Sequence, residues 1–109
     1  VATTKFEIWY MRPEWFAKGI TWHKPDPDNL ELTHIHLTDL ELEGGQCQLE
    51  HVFAHMQAEE WSPDGEARPL IEAKGLRHTS MSVGDVVVVN GEVHLVASFG
   101  FEWLNTEGV

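Results

Sequence analysis

The sequence predicts an α+β fold: a small antiparallel sheet with a C-terminal β-hairpin, one main amphipathic helix packed on it, and a short N-terminal helix. Three patterns predict it. Val86-Val87-Val88-Val89 and the run from Glu92 to Phe99 flank Asn90-Gly91, a dipeptide suited to the two positive-φ positions of a type I′ hairpin turn. Leu49, Val52, Phe53 and Met56 recur at i, i+3, i+4 and i+7, the spacing of one helix face. Phe6, Ile8 and Tyr10 alternate along Lys5 to Met11, which is strand periodicity.

From the N-terminus, that first strand gives way to Pro13, a good first helical residue, and a helix of one or two turns should stop at Gly19. Lys24-Pro-Asp-Pro-Asp-Asn29 is a loop by its turn chemistry. A second strand starts at Glu31. Its apolar parity switches from Ile35 and Leu37 to Leu40 and Leu42. A side-chain period of two cannot change phase without a break, so a bulge is expected near Thr38-Asp39. Gly44-Gly45 ends this strand, and the main helix should run from about Gln46 to Glu60, with His51, His55 and Glu59 on a separate face. Phe53→Ala is expected to cost about 3–5 kcal/mol if that ring is buried. Ser62-Pro63-Asp64-Gly65 is a turn, and Glu66 to Leu76 a short irregular helix stopped by Gly75. In the hairpin, Val88 should pair with Val93 and Val86 with Leu95. Four consecutive valines imply that both faces of that strand are covered. Phe101, Trp103 and Leu104 should close the core.

The 109 residues read as one domain, large enough for a core without staples. Cys47 is the single cysteine, so no internal disulfide can form. With no long apolar run and no secretory pattern, a cytoplasmic location away from membranes is expected. The net charge of −11 excludes direct nucleic-acid binding as a sensible expectation, because phosphates are met by clustered Lys and Arg.

The charge is unevenly placed. Between Pro25 and Ala67 there is no Lys or Arg, yet eleven carboxylates occur, from Asp26 to Glu66. Spread over a folded surface of roughly 6,100 Å², eleven charges are about five times sparser than those of DNA, near one per 110 Å². Gathered on one face of about 1,500 Å², they would approach it. The expected partner is a basic bacterial protein surface, met by Asp39, Glu41, Glu43, Glu50, Glu59, Glu60, Trp61, Asp64 and Glu66.

Two other chemistries compete. His34 and His36 share a strand face, and His51 and His55 lie one helical turn apart. If the strand and helix faced each other, the four imidazoles could hold zinc tetrahedrally, making a metal-binding module or metal-dependent enzyme; the leading expectation has no cofactor. Cys47 and His51 are four apart, but a free Cys is more often a small buried hydrophobe and no third group orients the two; Ser62, Ser80, Ser82 and Ser98 lack a nucleophile-elbow context, and adjacent Glu59 and Glu60 point apart. His78, Ser80 and Asp85 are close in sequence, but turn and capping bonds explain them. No enzyme is expected. A third reading is an interaction module using exposed aromatics such as Trp22 and Trp61.

The stretches Glu60-Trp-Ser-Pro-Asp-Gly-Glu-Ala-Arg68 and His78-Thr-Ser-Met-Ser-Val-Gly-Asp-Val86 resemble a group of small acidic bacterial proteins carried on plasmids, integrative elements and phages. The segment from His78 to Leu104 is similar to YodL-like domains. The resemblance spans Leu49 to Leu104, departs from the pattern at Ala58 and Asp64, and leaves His34 and His36 outside it. It implies a mobile-element protein acting by stoichiometric binding, in its sharpest form an inhibitor of a nucleic-acid-binding bacterial protein of restriction or CRISPR type.

Overall fold

Phe6, Ile8 and Tyr10 are fully buried along β1 (Thr3–Met11), which lies inside the sheet rather than at its edge. The computed structural model describes residues 3–18, 25–43, 49–58, 61, 65–76, 78–97 and 100–105. β2 (His34–Glu43), β3 (Val86–Val89), β4 (Glu92–Val96) and β5 (Phe101–Trp103) complete an antiparallel sheet of order β2-β1-β3-β4-β5. The helices are α1 (Pro13–Lys18), α2 (Leu49–His55) and α3 (Arg68–Ala73), with a 3-10 turn at Leu30–Leu32. The α+β class is therefore as the sequence predicts.

The hairpin has the expected register, Val86 opposite Leu95 and Val88 opposite Val93. Asn90 and Gly91 both have positive φ, 51° and 80°, as a type I′ turn requires. The four valines serve two layers. Val87 and Val89 face the main core with Val52, Met56, Ile71 and Leu76. Val86 and Val88 face a second cluster with Leu30, Val93 and Leu95. The segment around Leu30 covers that second face, a role its turn-rich composition did not announce.

The bulge sits one residue earlier than expected. Ile8 pairs with Thr38 and Trp9 with His36, so Leu37 is the extra residue on β2. Leu37 is buried, and Ile35, Leu40 and Leu42 pack against the same core despite their opposite parity. The inserted residue thus keeps every apolar side chain of the strand on one side.

α2 is shorter than the periodicity implied. After His55 the chain closes three-residue bonds, Gln57 N–H to Ala54 O and Ala58 N–H to His55 O, the tightening usual at a helix end. Residues 46–48 and Glu59-Glu60 lie outside the described residues, as do Gly19, Gly44-Gly45 and 62–64. Val52 and Met56 bury completely, whereas Phe53 is only half-buried, so the strongest aromatic anchor is Phe6 rather than Phe53. α3 ends at Gly75 (φ 71°), with Leu76 N–H on Ile71 O and Gly75 N–H on Glu72 O. Leu76 and Ile71 then both enter the core, the hydrophobic contact that accompanies this stop. Phe101 to Trp103, expected only as core closure, form a fifth strand, and Trp103 is nearly half exposed. Among the described residues no helix is long and apolar enough to cross a membrane.

Candidate functional site

The bulge decides where the carboxylates of β2 point. Because Leu40 and Leu42 turn to the helical core, the alternate residues Asp39, Glu41 and Glu43 emerge on the opposite side of the sheet. Glu7 lies directly across from Asp39 on that side. Further along the same side, Glu7, Asp28 and Glu31 border a hollow of about 290 Å³ with Trp9. The Trp9 indole N–H donates to Glu7 at 3.1 Å. Two cations temper this face. Lys5 Nζ is 3.3 Å from Asp39, and Arg12 Nε–H donates to the Glu31 carbonyl. The His36 ring at 2.8 Å, and behind it the Lys5 ammonium, hold the Asp39 carboxyl below its ordinary range.

The other acidic candidates lie elsewhere. Glu50 is exposed on α2, beside Phe53, Val96 and Phe101 at the far side of the sheet. Glu66 is exposed just before α3. The expected single wall is therefore divided: α2 and α3 cover the face opposite the one carrying Asp39, Glu41 and Glu43. Glu59, Glu60 and Asp64 lie outside the described residues. Trp61, expected at the surface, is 7 % exposed and belongs to the core cluster with Val52, Met56 and Ile71. Trp22 and Cys47 lie outside the described residues.

The four histidines do not converge. α2, with exposed His51 and half-buried His55, sits on the helical side of the sheet. His36 lies across from Trp9 on the other side, ring centroids 5.4 Å apart. His34 is fully buried and uses both nitrogens, Nδ1 with Thr33 Oγ1 and Nε2 with Gly84 O, each at 2.7 Å. The sheet itself separates the two pairs. Among the described residues no group of three or more His, Cys, Asp or Glu side chains is placed to hold a metal ion.

What the chain does bring together is a buried polar knot at the end of β1 and β3. Trp9 opposite Val86 is the last β1–β3 pair. One residue on, Asp85 takes over: its Oδ1 accepts the Met11 N–H at 2.9 Å and its Oδ2 the Ser82 N–H at 2.8 Å. Its Oδ2 also accepts from His78 Nε2 at 2.8 Å. A carboxylate with no solvent contact thus ends the ladder where no backbone acceptor continues it. The His78 ring stacks on Tyr10, centroids 4.5 Å apart and 15° from parallel, and Tyr10 donates its hydroxyl to Thr79 O. Burial first, and then the Asp85 charge, push the Tyr10 phenol far above its ordinary range. The spacing of His78, Ser80 and Asp85 was visible in sequence; that Tyr10, 68 residues before His78, completes the knot was not.

His34 joins this region through Gly84. A carbonyl can only accept, so His34 Nε2 carries the proton and Nδ1 accepts from the Thr33 hydroxyl. Trp15 of α1 lies against the ring, centroids 5.3 Å apart. Burial lowers the His34 pKa below 6.5, outweighing the Gly84 bond and the Asp85 charge, which raise it. The folded state therefore binds this proton less readily than the unfolded chain does. Its contribution is fully present at neutral pH and is lost as pH falls below about 6.5. Urea melts at pH 7, 6 and 5 should show stability declining across that window, with a slope of at most about 1.4 kcal/mol per pH unit from this group. His34→Gln should flatten that decline; an unchanged slope would assign it to another group. Asp26 and Asp39, whose carboxyls are lowered, act below pH 3.8 and outside it.

Beside the knot, α3 and the 78–80 segment border an open hollow of about 550 Å³; the described residues lining it are Arg68, Ile71, Glu72, Leu76, His78, Thr79 and Ser80. Ser80 is committed structurally, its hydroxyl donating to Trp61 O at 2.9 Å.

No family model, curated protein or solved structure matches this chain. The likeness to mobile-element proteins and to YodL-like domains gains no support from these comparisons.

Proposed function

We propose that the chain is a non-enzymatic binding protein that presents the acidic side of its sheet to a basic surface of a bacterial protein. In its sharpest form it is an inhibitor, encoded on a mobile element, of a nucleic-acid-binding protein of restriction or CRISPR type. The observation that supports this is the gathering of Asp39, Glu41 and Glu43 on β2 with Glu7, Asp28 and Glu31 on one side of the sheet. Long-range attraction to such a face is screened within about 8–10 Å at moderate salt, so it accelerates encounter and weakens with ionic strength. The half-buried Trp9, close to those carboxylates, adds an aromatic surface that favours guanidinium and ammonium groups.

Affinity capture from a bacterial lysate tests this reading. The native protein should retain a basic nucleic-acid-binding protein at low salt and lose it at high salt. A triple reversal, Asp39→Lys with Glu41→Lys and Glu43→Lys, should weaken that capture by at least about tenfold. The pair Glu50→Lys and Glu66→Lys carries two-thirds of that charge change elsewhere and should cost much less than two-thirds of the loss. Equal capture by the triple variant would defeat the reading.

A further inference from the structure

We propose that the hollow beside Trp9 is the anchor point for one arginine side chain of the basic partner. This deepens the acidic-face reading and rests on it for the partner, though not for the chemistry of the hollow. A volume of about 290 Å³ falls just short of the roughly 300–1,000 Å³ usual for whole small ligands. It suits a single long side chain.

The floor is apolar. Leu30 and Val93 are both buried, with Trp9 packed against their cluster. His36 meets the Trp9 ring from the β2 side, whereas the hollow opens on the side of Val88 in β3 and Val93 in β4. Carboxylates border it from two directions: Glu7 on β1, and Asp28 and Glu31 on the segment around Leu30. Among the described residues the Asp28 and Glu31 carboxylates have no protein partner, and Glu7 is met only by the Trp9 indole N–H at 3.1 Å. Arg12 donates to the Glu31 carbonyl and not to its carboxylate. An uncharged apolar group filling the hollow would strip water from those carboxylates without replacing its hydrogen bonds. An organic cation satisfies both the acidic rim and the aromatic wall. The planar guanidinium then separates arginine from lysine. It can lie flat on the indole while its forked donors reach carboxylates on either side, and its stem covers Leu30 and Val93. Glu7 is directly opposite Asp39, so an arginine anchored here brings its neighbours in the partner to the β2 row. Arginine seated in a partly apolar pocket is a recurrent anchor of protein interfaces.

N-acetylargininamide is the probe, with its citrulline analogue as the uncharged isostere and N-acetyllysinamide as the compact cation. NMR shifts of the Trp9 indole N–H, Leu30 and Val93, at constant ionic strength, report binding. The arginine compound should give saturable shifts at all three. The lysine compound should bind at least about twofold more weakly, and the citrulline analogue about fivefold. Asp28→Asn with Glu31→Gln, both exposed positions, should weaken the arginine compound by about threefold or more. Asp39→Asn with Glu41→Gln should cost less, because these residues lie outside the hollow. Absence of saturation, equal binding by the citrulline or lysine compound, unchanged binding by the Asp28 and Glu31 double variant, or matching shifts from calcium chloride would each overturn the proposal. No partner protein enters the measurement. It can therefore fail while capture from lysate succeeds, and succeed while capture fails.

Discussion

Asp85→Ala is expected to destabilise the protein by about 3–5 kcal/mol, because it removes a fully buried carboxylate that several donors depend on. The carboxylate has no solvent contact and accepts from three residues on separate parts of the chain: Met11 N–H in β1, the Ser82 N–H with its hydroxyl in the turn, and His78 Nε2. Alanine would strand all three, and each buried donor without an acceptor costs about 1–3 kcal/mol. The loss also frees His78 from its position against Tyr10. Asp85→Asn keeps an acceptor oxygen and the shape, so it should lose distinctly less. Urea denaturation at pH 7 gives both midpoints. An alanine variant within 1 kcal/mol of the native protein, a margin set by the low end of that range, would show that water replaces the carboxylate at low cost.

Phe6→Ala should cost about as much, 3–5 kcal/mol, by the usual range for deleting a buried phenylalanine. Phe6 is 1 % exposed and pairs across the ladder with Leu40, so β2 and the helical layer both close on its ring. The same substitution at Phe53 should cost less, because that ring is partly exposed in the folded state. Denaturation of the two variants side by side reads this out. A Phe53 variant at least as unstable as the Phe6 variant would place the weight of the core on α2 instead.

These two residues also mark what was legible in the sequence. Local signals were reliable where backbone chemistry dictates geometry. Asn90-Gly91 specified the hairpin and its register, Gly75 the stop of α3, and the parity change between Leu37 and Leu40 the bulge to within one residue. Depth within the core was not legible. Phe6 and Phe53 stand in equally convincing periodic patterns, and only the order of strands puts one at the centre. Charge was misleading for the same reason. A run without Lys or Arg looked like one surface, but the carboxylates of β2 project from one side of the sheet while α2 covers the other, so Asp39 and Glu50 do not share a face. The histidine quartet failed by that geometry as well. Conversely, the Asp85 knot joins residues from both ends of the chain, and no local spacing encodes such a contact.

Leu37 carries a last consequence. Residues three apart on an unbroken strand point opposite ways, yet His36 Nε2 reaches Asp39 Oδ1 at 2.8 Å, because the additional residue between them rotates the remainder of β2 by half a turn. The strand thus behaves like a text with a reading frame. Losing any one position between His36 and Asp39 would turn Asp39, Glu41 and Glu43 towards Phe6 and Ile8 and send Leu40 and Leu42 into water. Homologous chains should accordingly hold the length of this strand as tightly as its pattern of apolar and polar positions.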